Sequence, residues 1–423
     1  QWPSWIELQW PGIHFGGQLP FTIMEGGADH SIQVHHQQTR QNGEDQKQLP
    51  KCTDDVFHCW GVYNRLAGDS GFAHNSGPQI HSTMKTGIWQ VKKYSVYGLG
   101  NALVDTEIQV EDADLAQMEV EKGVMTLVDE ERQQNLVGQL EGHMVTAKKA
   151  SGGSAANSII ATTRFGKPCF YSCRIANDEN GDFYLKDLEA AGVDHNWQHA
   201  RSAGTTGRCL VLISPDAERS MLSYLGISET MDSSDLNATA IRDSEYLYIE
   251  GYLVTSPTGR AAAIEAREIA EAAGVKTSLS FSDPGMVEFF RDGMQEILGN
   301  SLIDLLFCNE VEAKQWSGSD DMTTTIAELK KVCRTFAVTL GASGSLIFDG
   351  ENLLEIPAPK VEALDTNGAG DMFAGAFLYA LSSGHDHQKA GEFANLAAAK
   401  VVSRFGPRLS ASEHDELHAE FFG

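Results

Sequence analysis

Short apolar runs alternate with helix-like stretches along most of the chain after Met84. The apolar runs are rich in β-branched and aromatic residues, as strands are, and they cover 94–100, 169–175, 245–254, 276–282, 302–309, 336–341 and 344–350. Stretches with helical spacing, such as 259–274 and 322–335, lie between them. This alternation predicts an α/β fold with a doubly wound, mainly parallel central sheet covered by helices on both faces.

Two segments interrupt the alternation. Residues 102–110 and 208–226 alternate apolar and polar positions and contain no helical pattern, and "SPDAER" supplies a turn in the second segment. We therefore predict a small antiparallel β lid, from about 101–112 and 203–228, that closes over a pocket. An ordinary hairpin at the edge of the main sheet is the structural alternative.

Residues 1–83 differ from the rest of the chain because they are rich in Gly, Gln and His and carry no sustained amphipathic period. This composition predicts a poorly ordered N-terminal extension, to which we assign no function. Residues 84–423 are predicted to form one domain.

The net charge and the cysteine content indicate which partners and which compartment this chain is expected to have. The formal net charge of −26 predicts a surface that repels nucleic acids and anionic membranes. No apolar run is long enough to span a membrane. The seven cysteines form no C-x-x-C pair, which is typical of free thiols in a reducing compartment. We expect a cytoplasmic protein without nucleic-acid or membrane partners.

The stretch "DTNGAGDMFAGAF", from Asp365 to Phe377, places glycines at the start of a predicted helix. The first N–H groups of a helix lack internal partners, its dipole is positive there, and glycine lets an anion approach the backbone. Gly368, Ala369 and Gly370 are therefore predicted to form an anion hole for phosphate. Asp371 stands beside them, kept ionised by the dipole and available as a base. A simple helix cap is the structural alternative, but a cap does not require the glycines.

These residues resemble the C-terminal signature of the ribokinase (PfkB) family of sugar and nucleoside kinases. Four further stretches resemble motifs of that family, and they follow the family's order. They are "GLGNALVD" (98–105), closest to the adenosine kinase-like branch, "SGGSAANSIIATTRFG" (151–166), "FCNEVEA" (307–313) and "VTLGASGS" (338–345). The resemblance extends from Lys93 to about Leu417.

The resemblance implies an ATP-dependent kinase that phosphorylates a hydroxyl of a small sugar or an adenosine-like nucleoside, with Asp371 as the catalytic base. The residues implied for the acceptor are Asn101, Asp105, Gly152, Gly153 and Asn157. Those implied for ATP are Asn309, Glu312, Thr339, Gly341, Gly344 and Asn395. Glu312 would organise Mg²⁺ through water, since Mg²⁺ gives up its hydration shell reluctantly. A monovalent cation, K⁺ in many members, would lie near Asp365, with Asn367, Gly406 and Ser410 around it.

Structural alternatives remain open for several of these residues. Asn309 with Glu312 also fits a capped helix start, and Asn395 fits a polar position on a buried helix. Arg219 in the lid could approach a substrate or phosphate, and its alternative is a solvated surface residue. No G-x-x-x-x-G-K-[ST] pattern occurs, which excludes a P-loop kinase. A non-catalytic sugar- or nucleoside-binding protein of the same fold is the alternative function. The chain is expected to act as a monomer or as a homodimer formed through the lid.

Overall fold

The structure is a computed structural model in two compact units, Gln1–Ile88 and Trp89–Gly423. It describes residues 21–25 and 32–36 as backbone, and residues 92–140, 148–196, 201–216 and 218–423. In the first unit, β1 (Phe21–Glu25) and β2 (Ile32–His36) form an antiparallel pair. The remainder of the predicted extension over 1–83, and its predicted end, lie outside the described residues.

The second unit alternates strands and helices. Its strands within the described residues are β3 (Tyr94–Leu99), β4 (Leu103–Gln109), β5 (Met125–Leu127), β6 (Lys148–Gly152), β7 (Cys169–Ser172), β8 (Asp194–His195), β9 (Thr206–Ile213), β10 (Arg219–Gly226), β11 (Ser244–Glu250), β12 (Lys276–Ser280), β13 (Ile303–Asn309), β14 (Cys333–Thr339), β15 (Ser345–Phe348) and β16 (Leu353–Ile356). Its α-helices there are α1 (Asp112–Gln117), α2 (Glu130–Gln139), α3 (Ser154–Arg164), α4 (Glu179–Ala191), α5 (Ala238–Arg242), α6 (Pro257–Ala272), α7 (Pro284–Phe289), α8 (Arg291–Leu298), α9 (Glu310–Ser317), α10 (Met322–Leu329), α11 (Ala369–Ser382), α12 (His387–Val402) and α13 (Ala411–Phe422).

The large sheet has the strand order β16-β15-β14-β13-β12-β11-β3-β7-β8 in the described part of the chain. Every pairing from β14 to β8 is parallel, whereas β15 pairs antiparallel with both β14 and β16. The predicted mainly parallel sheet is therefore confirmed, with a short antiparallel hairpin at one edge.

Hydrophobic cores cover both faces of this sheet. Successive strand residues point to opposite faces, so Val96 packs with α3, α11 and α12 while its neighbour Tyr97 packs on the side of α6, α8 and α9. Leu305 and Leu306 of β13 divide between the two cores in the same way. The predicted helical layers on both faces are confirmed, since strands buried on both sides need apolar residues at every position.

The small sheet has the order β5-β10-β9-β4-β6 within the described residues. Strands β9 and β10 form the predicted antiparallel hairpin, and β4 pairs antiparallel with β6. The sheet is nevertheless mixed rather than antiparallel throughout, because β4 pairs in parallel with β9 and β10 with β5. Parallel pairing needs a long crossover, and the chain between β4 and β9 passes through β5 to β8 and several helices.

One helix prediction changes at its end. The helix predicted over 322–335 stops at Leu329, and β14 already begins at Cys333. Cys333 pairs with Ile303 of the neighbouring strand, so tertiary pairing lengthens the strand at the expense of the helical pattern.

Two further findings concern the sequence-based expectations on membranes and thiols. None of the described helices is long and apolar enough to cross a membrane. The cysteines that the structure describes carry buried free thiols, and they are Cys169, Cys173, Cys209, Cys308 and Cys333. Cys52 and Cys59 lie outside the described residues.

Candidate active site

A cavity of about 410 Å³ opens where the carboxyl ends of the parallel strands meet the small sheet. Its floor includes the ends of β11, β13 and β14, and its roof includes Leu103, Met221 and Leu225 of the small sheet. Ligands of doubly wound folds bind at the carboxyl ends of the strands, and this volume is within the usual range for a ligand pocket.

The glycine-rich turn at the start of α11 lies on this cavity. Gly368 has a φ of 74°, and a Cβ there would lie 2.3 Å from the carbonyl oxygen of Pro407, so only glycine fits. A Cβ on Gly370 would meet no atom within 4 Å, which leaves its backbone open to an approaching anion. Gly368, Ala369 and Gly370 all line the cavity. The start of α11 can therefore bind an anion there.

Asp371 lies in the first turn of α11 and also lines the cavity. Ser154 Oγ donates to its Oδ1 at 2.6 Å, and Asn157 Nδ2 donates to its Oδ2 at 2.9 Å. Burial raises the pKa of Asp371, and these two hydrogen bonds only partly oppose that effect. The contribution of the helix dipole to its ionisation stays a prediction, beside this larger effect of lost hydration.

Close packing of α3 against α11 fixes this arrangement. A Cβ on Gly375 would lie 2.4 Å from the Ser158 carbonyl oxygen, and Thr162 Oγ1 donates to the Gly375 carbonyl at 2.8 Å. This contact brings Ser154 and Asn157 of α3 to Asp371. Asn157 is buried, and its Oδ1 has no hydrogen-bond partner among the residues described. Asn157 lines the cavity, and the fold leaves the acceptor capacity of this oxygen unused among the described residues.

The predicted glycine pair packs against the predicted acceptor residues. A Cβ on Gly152 would lie 2.1 Å from Asp105 Oδ2, and a Cβ on Gly153, where φ is 95°, would lie 2.3 Å from the Asn101 carbonyl oxygen. Asn101, Asp105 and Gly153 line the cavity together with Asn157, whereas Gly152 stands behind Asp105.

The carboxylate of Asp105 differs from most buried carboxylates. It is 8% exposed, and no group in the described part of the chain donates a hydrogen bond to it. Burial raises its pKa to about 7, an effect that the positive charge of Arg408 only partly offsets. An unpartnered, cavity-lining carboxylate of this kind can accept hydrogen bonds from a ligand.

Glu250 is a site residue that the sequence did not reveal. Its Oε1 accepts from Asn101 N at 3.2 Å and Asn101 Nδ2 at 3.1 Å, and its Oε2 accepts from Ala155 N at 2.8 Å. Burial raises its pKa to about 7. The residue thus joins the loop after β3 to the start of α3. An acid directly after the run Tyr246–Ile249, at the end of the strand "SEYLYIE", was the signal available in the sequence.

The predicted nucleotide end begins with Asn309 and Glu312, which form a capping box. Asn309 Oδ1 accepts from Glu312 N at 2.9 Å, while the Glu312 carboxylate accepts from Asn309 N at 2.9 Å and Nδ2 at 2.7 Å. Burial raises the pKa of Glu312 to about 7. Both residues line the cavity with Thr339, so the cap and the predicted site share the same side chains.

The other residues predicted to contact ATP lie behind this surface. Gly341 and Gly344 have φ angles of 58° and 102° and shape the turn between β14 and β15. Asn395 is buried, and its Nδ2 donates to Ser345 Oγ at 3.1 Å and to the Ile356 carbonyl oxygen at 2.9 Å. These three residues are not part of the cavity lining, and their contacts with ATP stay predictions.

The predicted monovalent-cation position holds a guanidinium group. Asp365 is 1% exposed and pairs with Arg219, while its Oδ1 accepts from Asn367 N at 2.9 Å and its Oδ2 from Gly406 N at 2.7 Å. Arg219 also lies 3.5 Å from Glu107 Oε1. The interpretation of Arg219 as a solvated surface residue is therefore wrong. A carboxylate whose two oxygens already meet three donors does not fit a bound K⁺.

The donor set can be tested in the same way for Mg²⁺. No group of three or more His, Cys, Asp or Glu side chains in the described chain is placed to hold a metal ion by itself. Mg²⁺ usually keeps several waters and binds one or two carboxylates together with substrate phosphates. Glu312 lines the cavity and fits the binding of such an ion through its water ligands.

Comparison with known proteins agrees with this geometry. The model of the pfkB family of carbohydrate kinases matches residues 124–414. The chain therefore belongs to the pfkB family of carbohydrate kinases. It is an ATP-dependent sugar or nucleoside kinase, as the motifs predicted, and kinases of this family use ATP and typically Mg²⁺.

Relatives of both kinds occur. The chain is 28% identical over 337 residues to an adenosine kinase of Dictyostelium discoideum, covering 74% of this chain and 96% of that protein. It is 30% identical over 286 residues to a ribokinase of Staphylococcus aureus (strain COL), covering 65% and 90%. The crystal structure of adenosine kinase from Sinorhizobium meliloti resembles it with a TM-score of 0.72 and 31% identity, over 77% of this chain and 99% of the other.

Proposed function

We propose that the protein transfers the terminal phosphoryl group of ATP to a hydroxyl of an adenosine-like nucleoside or a ribose-type sugar, with Asp371 as general base. One observation carries this proposal. Asp371 lies beside the open N–H groups at the start of α11, in a single cavity that Asp105 and Glu312 also line.

The chemistry assigned to Asp371 is proton removal. As the acceptor oxygen bonds to the γ-phosphorus, the bond from that phosphorus to the β–γ bridging oxygen breaks, and the hydroxyl proton passes to the carboxylate. Ser154 and Asn157 each hold one carboxylate oxygen and so fix its orientation. A base of this kind contributes about 10²–10⁴ in rate, and its raised pKa makes its ionised form more basic.

The N–H groups of Gly368, Ala369 and Gly370 are assigned to the transferring phosphoryl group. Donors that are fixed before the reaction stabilise charge that develops in the transition state, and the positive end of the α11 dipole adds to them. Gly370 permits close approach because nothing occupies the space where a Cβ would stand.

The acceptor is assigned to the end of the cavity that holds Asp105, Asn101, Gly153 and Asn157. A carboxylate can accept two hydrogen bonds from a vicinal diol, and Asp105 has no competing donor among the described residues. Ribose and adenosine both carry such a diol, which supports these two acceptor classes over a simple alcohol. Asn157 Oδ1 supplies a further acceptor atom.

The nucleotide is assigned to the end that holds Asn309, Glu312 and Thr339. Bound Mg²⁺ neutralises charge on the phosphates, and Glu312 would hold its water ligands. The small sheet roofs the cavity with aliphatic side chains. Its closure would exclude water, which otherwise competes with the acceptor.

The experiment that tests the proposal is a coupled assay of ADP release with Mg·ATP and a panel of acceptors: adenosine, inosine, ribose, fructose and 2-keto-3-deoxygluconate. We expect adenosine or ribose to give a rate well above the rate with water alone. Signal from a hexose or keto-acid alone would contradict the assignment of the acceptor. If no acceptor raises ADP release, the non-catalytic binding protein becomes the better description.

A further inference from the structure

Arg219 connects two parts of the molecule that the sequence does not link. It begins strand β10 of the small sheet, whereas its partner Asp365 belongs to the loop that leads into α11. Both side chains are buried, and the guanidinium is always charged. A buried charge is stable only with a partner, so each of these two residues depends on the other.

We propose that Arg219 is a positioning residue, whose guanidinium takes the place of a monovalent cation beside Asp365 and fastens the lid to the loop that carries the anion hole. The inference rests on the proposed function, because it assumes that Gly368 to Gly370 bind the transferring phosphoryl group. It predicts that turnover does not depend on K⁺.

The contacts of Asp365 explain how the anion hole is held. Asp365 Oδ1 accepts from Asn367 N, one residue before Gly368, and Oδ2 accepts from Gly406 N, one residue before Pro407. The backbone of Pro407 lies against Gly368 so closely that a Cβ on Gly368 would clash with it. Asp365 therefore fixes the chain on both sides of Gly368, and Arg219 holds Asp365.

Charge explains why a second cation is unnecessary. The guanidinium delivers one positive charge directly to the carboxylate, and Glu107 lies 3.5 Å from its Nη1. A K⁺ ion at the same carboxylate would meet this fixed positive charge at short range. It would also have to displace two backbone donors that shape the loop.

The position of Arg219 also couples the lid to the chemistry. Arg219 itself lines the cavity, as do Met221 and Ser223 of the same strand. A shift of β10 would act on the anion hole through Arg219 and Asp365. Loss of Arg219 should therefore lower kcat more than it raises KM for ATP.

The test compares wild type with Arg219→Ala in KCl and in tetramethylammonium chloride at equal ionic strength. Wild type should keep its rate within about twofold in both salts. Arg219→Ala should lose about 10–100-fold in kcat, as expected when reacting groups are misplaced. Guanidinium chloride at low millimolar concentration should raise the kcat of Arg219→Ala by about fivefold or more, because it refills the same position.

Arg208→Ala is the matched control. Arg208 lies on the neighbouring strand β9, pairs with Glu130 at 3.8 Å and does not line the cavity. This variant should stay within about twofold of wild type and show no rescue by guanidinium. Arg219→Lys, which keeps the charge, should fall between wild type and Arg219→Ala, and it replaces the alanine variant if that fails to fold.

Thermal unfolding gives a readout that does not need turnover. The midpoint of wild type should be the same in both salts within about 1 °C, since a ligand stabilises only a fold that binds it. A wild-type midpoint or rate that depends on K⁺ would overturn the inference, and so would an Arg219→Ala variant that behaves like Arg208→Ala. If wild type is inactive with every acceptor, that result contradicts the proposed function. The unfolding result then tests the inference on Arg219 by itself.

Discussion

Asp105 and Asp365 are both buried carboxylates of this unit, yet their surroundings are opposite. Asp365 meets a guanidinium and two backbone N–H groups. Asp105 receives no hydrogen bond from the described residues, and burial raises its pKa to about 7. Only Asp105 lines the cavity.

This contrast distinguishes a structural carboxylate from a ligand-binding one. A carboxylate whose oxygens already meet three donors, as those of Asp365 do, stabilises the fold and has little capacity left for a ligand. One without donors destabilises the fold, and such a cost is tolerated where function needs it. Asp371 stands between the two, because each of its oxygens has one donor and the residue lines the cavity.

The largest loss of activity is expected at Asp371, whose surroundings are intermediate between those of Asp105 and Asp365. Asp371→Asn keeps the shape of the side chain but cannot take up the acceptor proton, so kcat should fall by about 10²–10⁴. Binding of Mg·ATP, measured by calorimetry, should change little. Steady-state ADP release with the best acceptor measures the loss.

Asp415→Asn is the control for the loss of one negative charge, since Asp415 is an exposed residue of α13 with no assigned role in this chemistry. It should match wild type. An Asp371→Asn variant within about tenfold of wild type would contradict the role of general base.

The second prediction concerns Asp365, the carboxylate that already meets three donors. Asp365→Ala leaves the buried charge of Arg219 without its main partner, and it should lower the free energy of unfolding by about 3–5 kcal/mol. Urea denaturation at pH 7 measures this change.

The matched control is Glu328→Ala, which breaks the pair of Glu328 with Lys331, whose side chains are both exposed. Surface pairs of this kind contribute only about 0.2–1 kcal/mol. Equal losses in the two variants would erase the contrast between Asp365 and an ordinary surface residue.

Much of the fold followed from local pattern. Parallel strands buried on both faces are continuous apolar runs, and such runs are visible in one sequence. Strand ends were less predictable, because the run 245–254 stays apolar after Glu250 although Gly251–Thr255 forms a 3₁₀ turn. Nothing local distinguishes the last apolar residue of a strand from the first of a turn packed on the core.

The candidate site divides in the same way. Residues inside a recognisable motif, such as Asp105, Asn157 and Asp371, were predicted and do line one cavity. Arg219 was misjudged because its partner Asp365 lies 146 residues away in the chain. Glu250 was missed for a similar reason, since it acts through Asn101 and Ala155 from the end of another strand.

The third prediction concerns the stability cost of Asp105. Its pKa rises from 3.8 to about 7 on folding, so the folded protein binds more protons than the unfolded chain within that window. The stability that this carboxyl contributes through its raised pKa is therefore fully present below the lower value and is lost as the pH rises through the higher one. Asp105→Asn does not titrate, and its advantage over wild type should grow by about 2–3 kcal/mol between pH 5 and pH 8.

Urea denaturation at both pH values measures this gain, with Asp415→Asn as the control that should show none. The same Asp105→Asn variant should raise the acceptor KM by about 10-fold or more, because it loses a charged hydrogen-bond acceptor. If the stability advantage of Asp105→Asn over wild type is no larger at pH 8 than at pH 5, the carboxylate of Asp105 does not destabilise the fold.

The smallest effect is expected at Asn395, which tests whether a side chain whose amide nitrogen already bonds within the fold can also be a ligand contact. Its amide joins α12 to Ser345 and to the Ile356 carbonyl oxygen, so Asn395→Ala leaves a buried acceptor unpaired and should lower the free energy of unfolding by about 1–2 kcal/mol. The KM for ATP should stay within about threefold of wild type, since Asn395 does not line the cavity. Gln388→Ala, on the exposed side of the same helix, should change neither quantity. A large rise in KM for ATP with no loss of stability would assign Asn395 to the nucleotide after all, and it would show that the bonds of its amide nitrogen do not exclude a role in binding.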